Sequence, residues 1–429
     1  MKLTKEILDS VRHMEGFPKG KDEDIIALSD PPYYTACPNP FINDFIEKYG
    51  TPYDEENDDY HREPYAADVS EGKNDPIYNA HSYHTKVPHK AIMRYILHYT
   101  KPGDIVFDGF CGTGMTGVAA AMCGNPDEEF KMKIEQEAKR EGKKIEWGAR
   151  RAILCDLSPA ATFIAYNYNT PVDVEQFEKE AKRILEEVEK ECGWMYETIH
   201  TVNGVPQTDI HGNPIKGRIN YTVWSDVFVC PNCSEEIVYW DAAVDKESGK
   251  VMDEFNCPHC RAKVNKRNLE KAWVTKYDKA IDETIRQVKQ VPVLINYSVG
   301  RNRYEKAPDK FDLELIEKIE EMDIPYWYPT DRMPEGDESR RNDIYGITHV
   351  HHFYTKRNLW VLSFLYQYLF KDDNKEVLRK IFFAFNNVQQ RHCKLNAFRF
   401  NVSFPSNITS GTLYMPSLVK ENNIIIQLA

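Results

Sequence analysis

Over the first 170 residues, short apolar runs bounded by breakers alternate with amphipathic stretches. Asp24 to Ser29 is an apolar run that ends directly in Asp30-Pro31-Pro32. It predicts a buried strand followed by a loop that cannot continue a ladder. His89 to Thr100 sets Ile92, Tyr95, Ile96 and Tyr99 on one helical face, and Pro102-Gly103-Asp104 stops it. Ile105-Val106-Phe107 predicts a buried strand, Gly112 to Met122 an alanine-rich helix, Ala152 to Cys155 another strand, and Ser158 to about Asn167 a further helix. Strand, helix, strand, helix predicts an α/β fold with a parallel sheet covered on both faces. The stretch 36–83 is rich in Pro, Asn, Asp and Tyr and reads as an irregular insertion, and 125–147 is charged enough for a solvated helix or hairpin.

Further on, Val174 to Glu191 carries apolar residues at helical spacing and should cover the sheet or lead to the next unit. Residues 200–222 suggest a linker or hairpin, 276–335 mix helical and extended signals, and 355–370 is helical. Phe398 to Leu428 has β-like runs, and the strand-like end at 422–429 lacks a polar tail, as expected of one part of a longer protein.

The 429 residues suffice for two or three domains. Hydrophobic content of 41% and charged content of 28% fit a soluble globular chain. There is no run of eighteen apolar residues and no signal-peptide core, so the expectation is a cytoplasmic protein without a membrane partner. A net charge of −12 argues against non-specific nucleic-acid binding but leaves room for a local basic face. Two clusters qualify: Lys139, Arg140, Lys143, Lys144, Arg150 and Arg151, then Arg261, Lys263, Lys266, Arg267 and Lys271. Each by itself reads as solvated charge.

Asp30-Pro31-Pro32-Tyr33 has the chemistry to hold a planar amine. The Asp30 carboxylate and a following carbonyl can accept both amine hydrogens, and proline fixes the loop without adding a donor. Tyr33, with Tyr34 as a second ring, can stack on a flipped-out base. As an isolated motif it would read as an ordinary turn.

Asp108-Gly109-Phe110-Cys111-Gly112-Thr113-Gly114 follows a strand and opens a helix. Glycines there permit a tight turn and close backbone approach. The helix N-terminus would face the carboxylate of S-adenosylmethionine. Asp156, after the next strand, fits the acid that holds ribose hydroxyls. It lies further on than the ~20 residues of dinucleotide folds, and the charged insert accounts for the excess. The run lacks the Gly-x-Gly-x-x-Gly pattern of an NAD site.

His84-Thr85-Lys86-Val87-Pro88, Pro102-Gly103-Asp104 and Asp108 to Thr116, preceded by Asp30 to Tyr33, resemble the motifs of β-class DNA amino methyltransferases in their permuted order. The resemblance implies a Rossmann-like S-adenosylmethionine-dependent methyltransferase sheet. It implies catalysis by Asp30, Pro31, Pro32 and Tyr33, and cofactor binding by His84, Thr85, Lys86, Asp108, Gly109, Phe110, Cys111, Gly112, Thr113, Gly114, Thr116 and Asp156. An intact Asp30, rather than Ser, favours adenine N6 over cytosine N4. Gly109, Thr113 and Met115 stand where the family usually has Pro, Ser and Thr. The interval from Tyr33 to His84 is shorter than most members' recognition segment, which moves target recognition C-terminal. The chain is similar to the N-terminal part of large bacterial zinc-ribbon DNA methyltransferases. That likeness implies double-stranded DNA as partner and a restriction or phage-defence subunit beside it.

Cys230-Pro231-Asn232-Cys233 and Cys257-Pro258-His259-Cys260 have zinc-ribbon spacing. Four thiolates close a tetrahedral site, which means structural zinc. His259 reads as a solvent or nucleic-acid contact. Such a ribbon either reads DNA beside the basic run 261–271 or braces its domain. His349, His351 and His352 lack an acidic partner at a helpful spacing, so a structural role is preferred to a metal. With Tyr354, Lys356 and Arg357 nearby, phosphate or base contact is a second reading.

The expected organisation is a catalytic domain from 1–35 and 84–192, an insertion at 36–83, an inserted or appended zinc ribbon at 223–275 and a mixed α/β region at 276–429 for target recognition. The alternatives are an RNA or protein amide methyltransferase and a truncated, non-catalytic methylase that binds DNA.

Overall fold

The computed structural model describes residues 3–27, 29, 37–369, 375–400, 408 and 411–428. The chain divides into two compact units, Met1–Val172 and Asp173–Ala429. No helix among the described residues is long and apolar enough to cross a membrane.

The first unit begins with α1 (Lys5–Val11) and α2 (Asp22–Ala27). The strand expected at 24–29 is therefore a helix over most of its length. Asp22, Glu23 and Asp24 fill its first turn, where carboxylates suit the helix dipole. Ile25 turns into a small core with Leu3 and Leu8. So short an apolar run does not separate strand from buried helix by periodicity.

The stretch 36–83 contains α3 (Ile42–Tyr49) and the single turn α4 (Pro76–Asn79). Then come α5 (His89–Tyr99), β1 (Ile105–Asp108), α6 (Met115–Met122), α7 (Glu128–Arg140), β2 (Arg151–Leu154) and α8 (Pro159–Asn169). β1 and β2 pair in parallel, Ile105 opposite Arg151 through Asp108 opposite Leu154. They are the strands described in this unit, so the described fold is mixed α/β with a two-stranded parallel sheet.

Alanines let α6 lie close to its neighbours, and Met93, Ile96, Ala119, Ala120, Phe130 and Ile134 form the core. α7 is not the fully solvated insert its charge suggests. Phe130, Ile134 and Ala138, at i, i+4 and i+8, bury one face. Charges then bolt α5 to its surroundings: Lys90 bridges Asp75 (3.0 Å) and Asp127 (2.9 Å), and Arg94 bridges Glu71 and Glu137.

The second unit opens with α9 (Val174–Cys192), whose Ile184, Val188 and Cys192 are buried. They pack in a core with Tyr196, Ile219, Tyr297, Trp360, Leu365 and Ile424. Its sheet is organised by one strand, Lys216–Val229. Antiparallel to it run Gln290–Val299, Leu418–Asn422, Glu197–Ile199, Glu236–Val238 and Glu270–Lys271. The linker or hairpin expected at 200–222 is a hairpin (Thr201–Val202 with Val205–Pro206) that leads into this strand. Residues 424–428 form a helix, not the strand-like end expected, because Asn423 Oδ1 accepts from the Ile425 amide at 2.9 Å and starts a turn.

Arg357 is not a phosphate contact. It is buried, its Nε donates to Glu421 at 3.1 Å, and it also reaches Thr222 and the Met195 carbonyl at 3.0 Å. Trp224 donates to the same carboxylate at 2.7 Å, so a fully partnered ion pair ties the central strand to its neighbour and to helix Lys356–Leu369.

His392 is 1% exposed, and neither ring nitrogen has a hydrogen-bond partner among the described residues. Burial, assisted by Arg391, pushes its pKa down to about 3. The unfolded chain therefore takes up a proton near pH 6.5 that the folded chain refuses until about pH 3. The stability of the neutral ring is fully present above the unfolded value and falls as pH drops through that window. His392→Leu is expected to flatten the loss, read as urea midpoints of the second unit between about pH 4 and 7. Parallel pH profiles for variant and wild type would refute this.

Candidate functional site

The glycine turn lies past the carboxyl end of β1, where parallel α/β sheets receive ligands. Gly112 and Gly114 have φ of +52° and +72°, in the left-handed region. Gly114 caps α6, and a Cβ there would come within 2.7 Å of the Ala165 Cβ and 2.9 Å of its Cα. The turn is thus clamped between its own strand and α8. Asn169 Nδ2 donates to the Gly114 carbonyl at 3.0 Å. Asn169 was not among the expected residues; its mark in the sequence is an amide four residues after Ala165, on the same helical face.

Asp108 spends both oxygens on the turn. It accepts from the Phe110 amide at 3.2 Å and from the Thr116 hydroxyl at 2.6 Å. Asp156 accepts from the Gly112 amide at 2.9 Å and from the Ser158 amide at 2.9 Å. The acid after the second strand and the glycines after the first therefore meet directly. Cys111 and Thr113 are buried beneath the turn, and burial, with Asp108 and Asp156 adding, pushes the Cys111 thiol up to about 12.

Segment 83–85 lies against the same turn. An added Cβ on Gly112 would stand 3.6 Å from the Tyr83 ring and 4.0 Å from Thr85 Oγ1. His84 is exposed and stacks on Tyr83. Lys86 turns inward to the carbonyls of Tyr78 and His81, and to the Tyr168 hydroxyl at 3.3 Å; burial lowers its pKa to about 8. Phe110 and Leu157 are 82% and 91% exposed, one on each side of the Gly112–Asp156 contact in sequence. Gly109 has an ordinary φ, and among the described residues a Cβ there would meet only the Phe107 ring at 3.4 Å. Asp30, Pro31, Pro32, Tyr33 and Tyr34 lie outside the described residues.

In the second unit, Cys230, Cys233, Cys257 and Cys260 converge with their sulfurs within 4.8 Å of one another. The two knuckles repeat one backbone pattern. Ser234 and Arg261, each directly after the second cysteine, have φ of +62° and +64°. Their amides return to the carbonyls of Cys230 (2.9 Å) and Cys257 (3.0 Å). The amides of Cys230 and Cys257 donate to Glu235 and Ala262, both at 2.9 Å. Four thiol donors at that separation suit a tetrahedral metal ion with no open position. His259 stays outside the set, its Nε2 3.1 Å from the Glu236 carbonyl.

Part of each basic cluster is tied to local partners. Lys263 pairs with Glu254 at 2.6 Å, Lys266 lies over Tyr239, and Lys271 lies over Tyr345. Arg150 is buried against Thr100 and the Gly148 carbonyl, and Arg151 stacks on Tyr49. The histidine cluster does have an acidic partner: Asp278 Oδ2 lies 2.8 Å from Nε2 of both His351 and His352. Sequence spacing hides it, because 73 residues separate Asp278 from His351.

Residues 19–167 match a family described as DNA methylase, of the N6/N4 type. The match falls wholly within the first unit and ends in α8. It indicates a DNA methyltransferase and does not distinguish adenine N6 from cytosine N4. DNA methylases generally use S-adenosylmethionine as methyl donor. No curated protein and no solved structure matches the chain.

Proposed function

We propose that the chain is an S-adenosylmethionine-dependent DNA methyltransferase of the permuted β class, specific for the exocyclic amine of adenine. The observation that carries this reading is the direct contact of Asp156 with the Gly112 amide, beside two left-handed glycines, within the stretch that matches a DNA methylase. The residues fit the donor. Without Cβ atoms, Gly112 and Gly114 keep the turn open to close approach. The start of α6 suits a carboxylate, Asp156 suits ribose hydroxyls, and exposed Phe110 and Leu157 offer apolar cover for a purine.

Bound there, S-adenosylmethionine would supply an electrophilic methyl on its sulfonium. Asp30 and the Pro31 carbonyl would accept the two amine hydrogens and aim the lone pair, while Tyr33 stacks on the flipped base. Thr85 is the residue of the His84-Thr85-Lys86 run set to border the cofactor; Lys86 braces the loop. Zinc would be held by Cys230, Cys233, Cys257 and Cys260 as a brace.

The test is methyl transfer from labelled S-adenosylmethionine to unmethylated duplex DNA, RNA and protein in parallel. The label is expected in DNA, and nucleoside digestion is expected to recover it as N6-methyladenine. N4-methylcytosine would correct the target base. Label in RNA or protein alone would overturn the DNA assignment.

A further inference from the structure

We propose that Asp278, His351 and His352 form a second metal site, distinct from the four cysteines, for a divalent first-row transition cation, zinc foremost. Asp278 ends strand Trp273–Asp278, and the two histidines lie on the turn Val350–Phe353. Both Nε2 atoms are 2.8 Å from the same Asp278 oxygen, and the three ligand atoms lie within 4.8 Å of one another. The rings are nearly buried, at 7% and 4% exposure, so neither can swing out to water. His349 packs against both, with ring centroids 5.8 and 5.1 Å away.

Two imidazoles and one carboxylate are the donor set that binds zinc or ferrous iron with a position left open. The protonation state also suits a cation. Burial holds His352 down at about 4, and the two imidazoles hold Asp278 down at about 2 despite its own burial.

Without metal, each Nε2–H donates to Asp278, and the Thr348 amide donates to His352 Nδ1 at 3.3 Å. Loading requires each ring to move its proton from Nε2 to Nδ1. For His352 the Thr348 amide gives up its bond to Nδ1, and Thr348 Oγ1 at 3.5 Å can then accept from the new Nδ1–H. His351 Nδ1, buried and without a partner among the described residues, has a lone pair free for that proton. No proton need leave the protein. Lys276 acts against a positive charge at His351 and Lys394 against one at His352, and both oppose loading, so this site is expected to bind more weakly than four thiolates.

The test is equilibrium dialysis of the full chain, with zinc in its cysteine site, against cobalt(II). One further equivalent is expected, with weak visible bands and no sulfur charge transfer. His351→Gln and His352→Gln are each expected to weaken that equivalent by at least about tenfold and to leave zinc content unchanged. Should the variants misfold, X-ray absorption at the cobalt edge of the wild type decides alone: a nitrogen and oxygen shell with imidazole scattering supports the site, and a sulfur shell overturns it. No additional cobalt, or cobalt retained unchanged by both folded variants, also overturns it.

Discussion

Asp30→Ala is expected to slow methyl transfer by about 10²–10³ while leaving S-adenosylmethionine bound, and Gly114→Val to abolish both. On the proposed reading, the first variant would keep the donor site intact and lose the group that aligns the amine. Losing one oriented polar group at a reacting centre costs about 10²–10³ in rate. Calorimetric affinity for S-adenosylmethionine should stay within about twofold, because the interaction is made only as the amine reacts. In the second variant the backbone is the target. Gly114 has φ of +72°, and its missing Cβ leaves room for Ala165, whose own backbone would lie 2.9 Å from a side chain. A valine must push α8 away and strain the turn, each worth about 1–3 kcal/mol. The Gly112 amide would then leave Asp156 and open the donor seat. Calorimetry and label transfer on both variants separate the two roles. If Asp30→Ala still methylates DNA at the wild-type rate, the amine pocket is elsewhere. If Gly114→Val binds the donor normally, the turn is not its seat.

What the chain reveals by inspection divides by range. β1 and β2 are legible because apolar runs stop at a glycine turn or an aspartate, but the burial expected of them is not found: none of their residues is fully buried, and Phe107 is 70% exposed. The contact of Asp156 with Gly112 follows from the same pattern, since each ends one of two neighbouring strands. The cysteine knuckles are legible because both halves are local. α2 is not, because six residues carry too little periodicity and the outcome depends on Ile25 finding Leu8. The central strand of the second unit begins inside a stretch that looks like linker. Gly217 and Asn220 weaken its apolar signal, and Asn220 earns its place only through lateral bonds to Asn296 (2.8 Å) and Ser298 (2.9 Å). Asp278 and its histidines share that difficulty, since a contact between a strand end and a turn 73 residues further on leaves no spacing rule.

Removing the metal from the four cysteines is expected to unfold the knuckles and to destabilise the second unit. Cys230 and Cys257 are fully buried and belong to the core of Phe228, Ile237, Tyr239, Phe255 and Val264. Beyond the central strand, that core rests mostly on short elements, such as Glu236–Val238, Tyr239–Ala243 and Leu418–Asn422. Strands Glu254–Asn256 and Lys263–Asn265 pair over three residues each, too few to stand without a clamp. Zinc, on the proposed reading, would supply the clamp by tying the end of the central strand to that hairpin. In isolated zinc-finger peptides the ion contributes about 10–16 kcal/mol, and here the surrounding sheet retains part of the order. A loss of at least about 3 kcal/mol is expected on chelation or in Cys257→Ser, a fall in Tm of roughly 6–12 °C. Limited proteolysis should then cut first between Cys230 and Lys271. His259→Ala should keep both zinc and Tm, because its ring touches the Glu236 carbonyl and not the sulfurs. The first unit should still bind S-adenosylmethionine. Zinc that can be stripped with no change in melting or cleavage would mean that the sulfurs hold a passenger, and that hydrophobic packing alone closes the module.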